Sequence, residues 1–227
     1  MKKITIALLV AGLFGSVASA QAAMISYTAS VAMATTNWGP TNISLSKFDT
    51  TLGTLTSIDF DLSGTVKGIG KAESEDGAAS EVILDLGSVI TLRRPNNSTL
   101  VVSNPVFSQT FQFTAYDGVL DYAGTSGGST GLQSNTDSVL FTSFNGADFA
   151  LFSGPGSIIL NLAAVGASAG NGAGNLSTNF QTSASGIAKV TYNYTSNAVP
   201  EPATLGIMVL GMGVLGLVRR RRATKAA

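Results

Sequence analysis

The sequence predicts an all-β ectodomain, an antiparallel β-sandwich or jelly roll, flanked by an N-terminal signal helix and a C-terminal transmembrane helix. Three observations predict this. Short runs of alternating or β-branched residues recur through the middle of the chain, separated by Gly, Asn, Pro and Asp turn signals. Sustained helical periodicity is absent from the same region. Two charge-free apolar segments of a different kind sit at the two ends.

The N-terminal segment has the three-part layout of a secretory signal peptide, assigned here to residues 1–22. Lys2 and Lys3 are followed by the apolar stretch Ile4 to Val17 and then by small residues, Ala18-Ser19-Ala20-Gln21-Ala22-Ala23. Cleavage fits after Ala20 or after Ala22, and both remain open. Signal peptidase is the expected processing enzyme.

Residues 23–197 are read as the ectodomain, long enough for one domain with its own core. Ile58-Asp59-Phe60-Asp61-Leu62-Ser63 alternates apolar and polar, as a half-buried strand does. Val82, Leu84 and Leu86 alternate likewise, with Ile83 ambiguous. Val89 to Leu92 and Leu100-Val101-Val102 flank the turn Arg93 to Ser98 and read as a hairpin. Phe111 and Phe113 share one strand face. Ser157 to Val165 and Ile187 to Tyr194 are late strands, the second with Val190, Tyr192 and Tyr194 on one face. Gly124 to Gly131 reads as a loop and Asn145-Gly146 as a turn; Gly166 to Gly174 reads either as a loop or as a small-residue edge strand. About eight to ten strands result, with no repeat period.

Composition removes whole classes of chemistry. The chain of 227 residues has no histidine and no cysteine. Histidine-based triads, histidine metal sites and thiol nucleophiles are therefore excluded. The net charge of zero conceals an asymmetry. Seven of the 13 basic residues and one of the 13 acidic ones lie in the terminal segments, leaving six basic and twelve acidic residues between them. An ectodomain of charge about −6 argues against nucleic acid or anionic membrane surfaces as partners.

Candidate sites in the ectodomain are few, and each has a plain structural alternative. Glu73, Glu75 and Asp76 could supply oxygen ligands to calcium, but they read more simply as a solvated charged turn. Asp117-Gly118 reads as a turn. Asp59 and Asp61 sit on one strand face at about 6.6 Å, a spacing a carboxylate-dependent hydrolase could use, though solvent-facing alternation is ordinary. Trp38, the single tryptophan, and Tyr116 are the candidate ligand-binding aromatics for a carbohydrate-binding module; core or edge positions are the ordinary alternative for both. No catalytic residue, metal site or cofactor is assigned.

The C-terminal segment, residues 198–227, opens with Pro200-Glu201-Pro202. The uncharged apolar stretch Ala203 to Val218 follows, then Arg219, Arg220, Arg221 and Arg222 within the basic end 219–225. Sixteen residues at about 1.5 Å each give a helix of about 24 Å, marginal against a hydrocarbon core of about 30 Å. The arginines are expected to stay cytoplasmic and the preceding chain outside the inner membrane.

This order of tripeptide, apolar helix and arginine cluster resembles the PEP-CTERM sorting signal. The resemblance implies a Gram-negative bacterium that makes exopolysaccharide. It also implies an exosortase, a membrane-embedded cysteine protease-transpeptidase, as the processing partner. The protein would then be an inner-membrane intermediate before it reaches the cell surface or extracellular matrix, released or attached.

The ectodomain resembles the choice-of-anchor E domain through Ile25 to Thr28, Thr35 to Trp38, Phe48 to Leu55, Leu62 to Val66, Phe113 to Gly118 and Val190 to Tyr194. That resemblance implies no activity. The expected function is thus a non-enzymatic, exported surface or exopolysaccharide-matrix protein, with carbohydrate binding and carboxylate-dependent hydrolysis as alternatives.

Overall fold

A computed structural model describes residues 21–197. The predicted signal helix and C-terminal transmembrane helix lie outside the described residues. Among those described, Ala22–Thr195 forms a compact unit, and no helix in them is long and apolar enough to cross a membrane.

The elements are β1 (Ala22–Thr35), β2 (Trp38–Ser46), β3 (Gly53–Ser74), β4 (Ser80–Arg93), β5 (Thr99–Ser103), β6 (Val106–Phe113), β7 (Gly127–Ser129), β8 (Gln133–Ser143), α1 (Gly146–Phe152), β9 (Ser157–Gly166), β10 (Ala169–Asn171) and β11 (Leu176–Ser196). In the first sheet the order is β1-β11-β3, and β3 then pairs with β7 near its end and with β8 along its middle. In the second, β2 pairs with β9 and β9 with β4. β4 also pairs with β6 over residues 80–87, with β5 over 90–93 and with β10 over 83–85. The ladders are antiparallel.

Alternation along the strands decides which side chains meet between the sheets. Ile58, Phe60 and Leu62 of β3 and Ala188, Val190 and Tyr192 of β11 face Ile90 and Leu92 of β4 and Leu160 and Leu162 of β9 in one buried cluster. Phe152 of α1 closes it, its ring edge-on to Phe60 with centroids 4.9 Å apart. A smaller cluster of Ala72, Val82, Leu84 and Phe113 is covered by Phe111, Leu176 and Phe180. The shared face of Phe111 and Phe113 is realised as stacked rings 5.6 Å apart.

Several local readings change. The stretch Gly124–Gly131 contains β7, which pairs with Lys71, Ala72 and Glu73. Of the two readings of 166–174, the small-residue strand is the one found, as β10. Asn145-Gly146, read as a turn, starts a helix: Asn145 Oδ1 accepts from Ala147 N at 2.9 Å, an N-cap bond. The hairpin between β4 and β5 forms as predicted, with Asn97 at φ 66° in its turn.

Where the two sheets meet at their edges, polar side chains join them. Ser103 Oγ donates to the Asp137 backbone oxygen at 2.8 Å, and Asn104 N to Asp137 Oδ2 at 2.8 Å. Between the inner strand β11 and the end of β2, the Tyr192 hydroxyl donates to Ser46 O at 2.9 Å. Burial pushes that hydroxyl well above the usual tyrosine range, with Tyr27 adding to it.

Candidate functional site

Trp38 begins β2 directly opposite Ala164, a fully buried residue of β9. Residues directly opposite one another in a ladder share a face, so the indole points into the sandwich. There it packs against the main core, and its Nε1 donates to Ala184 O on the other sheet at 3.0 Å. Gly39, at φ 102°, lets the next residues cross close over β9: an added Cβ would lie 2.8 Å from Leu162 O and 2.9 Å from Ala163 Cα. Trp38 therefore ties the two sheets together at their rim.

Two open clefts flank this rim. One, about 790 Å³, is bordered by the end of β1, by Lys67 to Ile69 of β3, by Leu132 and by Phe180 to Ser183 of β11. The other, about 460 Å³, lies over β9 between Asn37 to Pro40 and the pair Arg93 and Asn97. Asn37 belongs to both. It has φ 71°, and its Oδ1 is held by Gly166 N at 2.9 Å.

The candidate acidic residues are mostly engaged. Asp59 Oδ1 accepts from Thr142 Oγ1 at 2.7 Å and its Oδ2 from Asn193 Nδ2 at 2.8 Å, so it cross-links β8 and β11. Asp61, half-buried, lies two residues along β3 and so on the same face. Glu73 corrects the reading of a solvated turn. It is fully buried, and its Oε1 accepts from Ser126 Oγ at 2.6 Å while Oε2 has no partner among the described residues. Room for this carboxylate exists because Gly127 opposite carries no side chain. Glu75 accepts from Ser177 Oγ at 2.6 Å, and Asp76 caps Gly174 N and Asn175 N at 2.7 and 2.9 Å. Among the described residues no group of three or more acidic side chains is placed to hold a metal ion.

Tyr116 is not brought together with Trp38. It is half-buried in the loop after β6, with its N donating to Asp76 O at 2.9 Å. Partial burial, then the carboxylates of Glu75, Glu73, Asp117 and Asp121, push its hydroxyl upward. The turn at Asp117 is an Asx turn, its Oδ1 accepting from Val119 N at 3.0 Å.

Sequence reasoning missed one polar site. Asp148, in the first turn of α1, takes Arg94 Nε and Nη2 at 2.7 and 2.9 Å and Ser143 Oγ at 2.6 Å. The Arg94 guanidinium above all, with Ser143, holds the Asp148 carboxyl below the usual carboxylate range against the opposing effect of its burial. Arg94 is raised in turn by its hydrogen bond to Asp148. Nothing in the spacing of residues 94 and 148 announces this pair; the only signal is an arginine beside a predicted turn.

Residues 198–222 match the family model described as the PEP-CTERM protein-sorting motif. The chain carries a PEP-CTERM sorting motif. The match contains Pro200, Glu201, Pro202 and the four arginines Arg219 to Arg222, all outside the described residues. This motif supports export and membrane-associated processing by an exosortase. No curated protein matches the chain.

Among solved structures, the crystal structure of the STIV MCP is similar at 16% identity and a TM-score of 0.22, over 76% of this chain and 49% of that one. The infectious bursal disease virus Gx strain structure follows at 11% identity and a TM-score of 0.13, over 85% and 48%. The chain thus spans about half the length of the solved structures it matches. TM-scores this low do not establish a shared fold.

Proposed function

We propose that this is an exported, non-enzymatic surface or exopolysaccharide-matrix protein, delivered by a signal peptide and processed by an exosortase at Pro200-Glu201-Pro202. The observation that carries the proposal is the PEP-CTERM motif at residues 198–222. Signal peptidase removes the N-terminal segment, and the apolar stretch Ala203 to Val218 holds the intermediate in the inner membrane of a Gram-negative bacterium. The resemblance to the choice-of-anchor E domain supports the same reading, since it describes cargo attached to alternative sorting tails.

A non-enzymatic role is supported by composition and by the use made of the acidic residues. The chain lacks histidine and cysteine, and Asp59 spends both carboxylate oxygens on neighbouring strands. Trp38 as a sugar-stacking platform is the weaker reading, because its indole is directed inward and bonded to Ala184. The test is the intact mass of the mature protein from hosts with and without the exosortase. Loss of the segment after the PEP motif only when the exosortase is present is the expected result; the same full tail in both hosts would overturn the processing claim.

A further inference from the structure

We infer that the two clefts joined at Asn37 form one extended binding site for an acidic polysaccharide, a uronate-containing chain laid across the crossover from β1 to β2. The inference rests on the matrix-associated reading for the supply of its ligand and adds the ligand's chemical class and position.

Charge is the first reason. The ectodomain holds twelve acidic and six basic residues, yet among the described residues no acidic side chain lines either cleft. Each cleft instead contains one basic residue, Lys67 in the larger and Arg93 in the smaller. Neither is neutralised by a carboxylate, since the ion pair among the described residues is Arg94 with Asp148. Arg93 uses one Nη1 bond, 3.2 Å to Asn97 O, and keeps its other donors.

The second reason is the kind of polar group. Thr35, Gln181 and Ser183 border the larger cleft and Asn97 the smaller, so hydroxyls and amides outnumber charges. Such neutral donors and acceptors match ring hydroxyls, while a guanidinium or ammonium suits a carboxylate. Pro40 and the exposed Val165 and Leu132 add apolar surface beside these polar groups.

The third reason is Asn37. It lines both clefts, in the left-handed conformation that asparagine adopts more readily than most residues. Its Oδ1 is anchored to Gly166 N, which leaves the Nδ2 amide without a partner among the described residues. A donor fixed at the junction suits a ligand that continues from one cleft into the other.

Residues 21–197 serve as the test protein, because the paired end strands β1 and β11 and both buried clusters lie within them and the basic tail is absent. Calorimetric titration with oligogalacturonate is expected to show binding that weakens with added salt. The Lys67→Gln/Arg93→Gln double variant should weaken it by at least about tenfold. Asn37→Asp, which keeps the oxygen acceptor and tolerates the backbone conformation, should do the same with an unchanged melting temperature.

No binding, equal binding by the double variant, equal binding of a neutral glucan, or tighter binding of polyglutamate would each overturn the inference, the last in favour of an acidic peptide. Retention of wild type and double variant alike in the cell-surface matrix would sink the site and spare the matrix reading. Oligogalacturonate binding by a protein absent from the matrix would do the reverse.

Discussion

Arg94, at the head of the hairpin between β4 and β5, grips both carboxylate oxygens of Asp148 at 2.7 and 2.9 Å. Asp148 is 4% exposed, so the pair clamps α1 to the second sheet away from bulk water. Removing the carboxylate leaves the half-buried Arg94 guanidinium without its partner. Asp148→Asn is expected to cost about 1–3 kcal/mol at pH 7, read from urea unfolding.

The same pair gives a pH dependence whose sign is fixed. The folded carboxyl titrates below its unfolded value of about 3.9. Its contribution is therefore complete above about pH 4 and disappears as pH falls through the depressed folded value. The stability gap between wild type and Asp148→Asn should narrow steadily on acidification from pH 5 toward 2. A gap that stays constant over that range would contradict the assignment.

Trp38→Phe keeps a large apolar ring at the rim but removes the donor to Ala184 O, 3.0 Å away. A loss of about 1–3 kcal/mol in unfolding free energy is expected.

Glu73→Gln retains the acceptor for Ser126 Oγ and changes only the fully buried Oε2, which is unpartnered among the described residues. The variant should be about as stable as wild type by thermal unfolding, since no described hydrogen bond is lost. A marked drop in melting temperature would mean that Oε2 has a partner beyond these contacts.

At Gly68 of β3 an added Cβ would strike Gln181 O and lie 2.9 Å from Thr182 Cα on β11. Both obstacles are backbone and have little freedom to yield. Gly68→Ala should destabilise the domain by about 1–3 kcal/mol, seen as a lower urea midpoint.

The strands that could be read in advance are those whose alternation is uninterrupted. Ile58 to Ser63 and Val190 to Tyr194 have one buried face each, and period-two patterning records that directly. β7, Gly-Gly-Ser, escaped, and β10, Ala-Gly-Asn, could be read either as loop or as edge strand, because three-residue strands take their identity from the partners they pair with. α1 escaped because seven residues are too few to show a helical period; its cap, Asn145, looks like a turn in isolation.

The candidate site divides in the same way. Trp38 is conspicuous by type, but its direction is set by pairing with Ala164, more than a hundred residues away. Lys67 and Arg93 carry no local pattern, and only the strand order places both beside Asn37. Glu73 looks exposed among its acidic neighbours because the glycine that admits it lies on another strand.

The ladder between β1 and β11 also sets a clock. Ala22 pairs with Thr195, and β11 is an inner strand, with β1 on one side and β3 on the other. A chain threaded outward from its N-terminus delivers β1 first and its ladder partner among the described residues last. The first sheet cannot be completed until residue 196 has emerged, so final folding must wait for export of the whole body. A stall on the apolar segment that follows would come just after that moment, giving the domain time to close before the enzyme at the membrane acts on its tail.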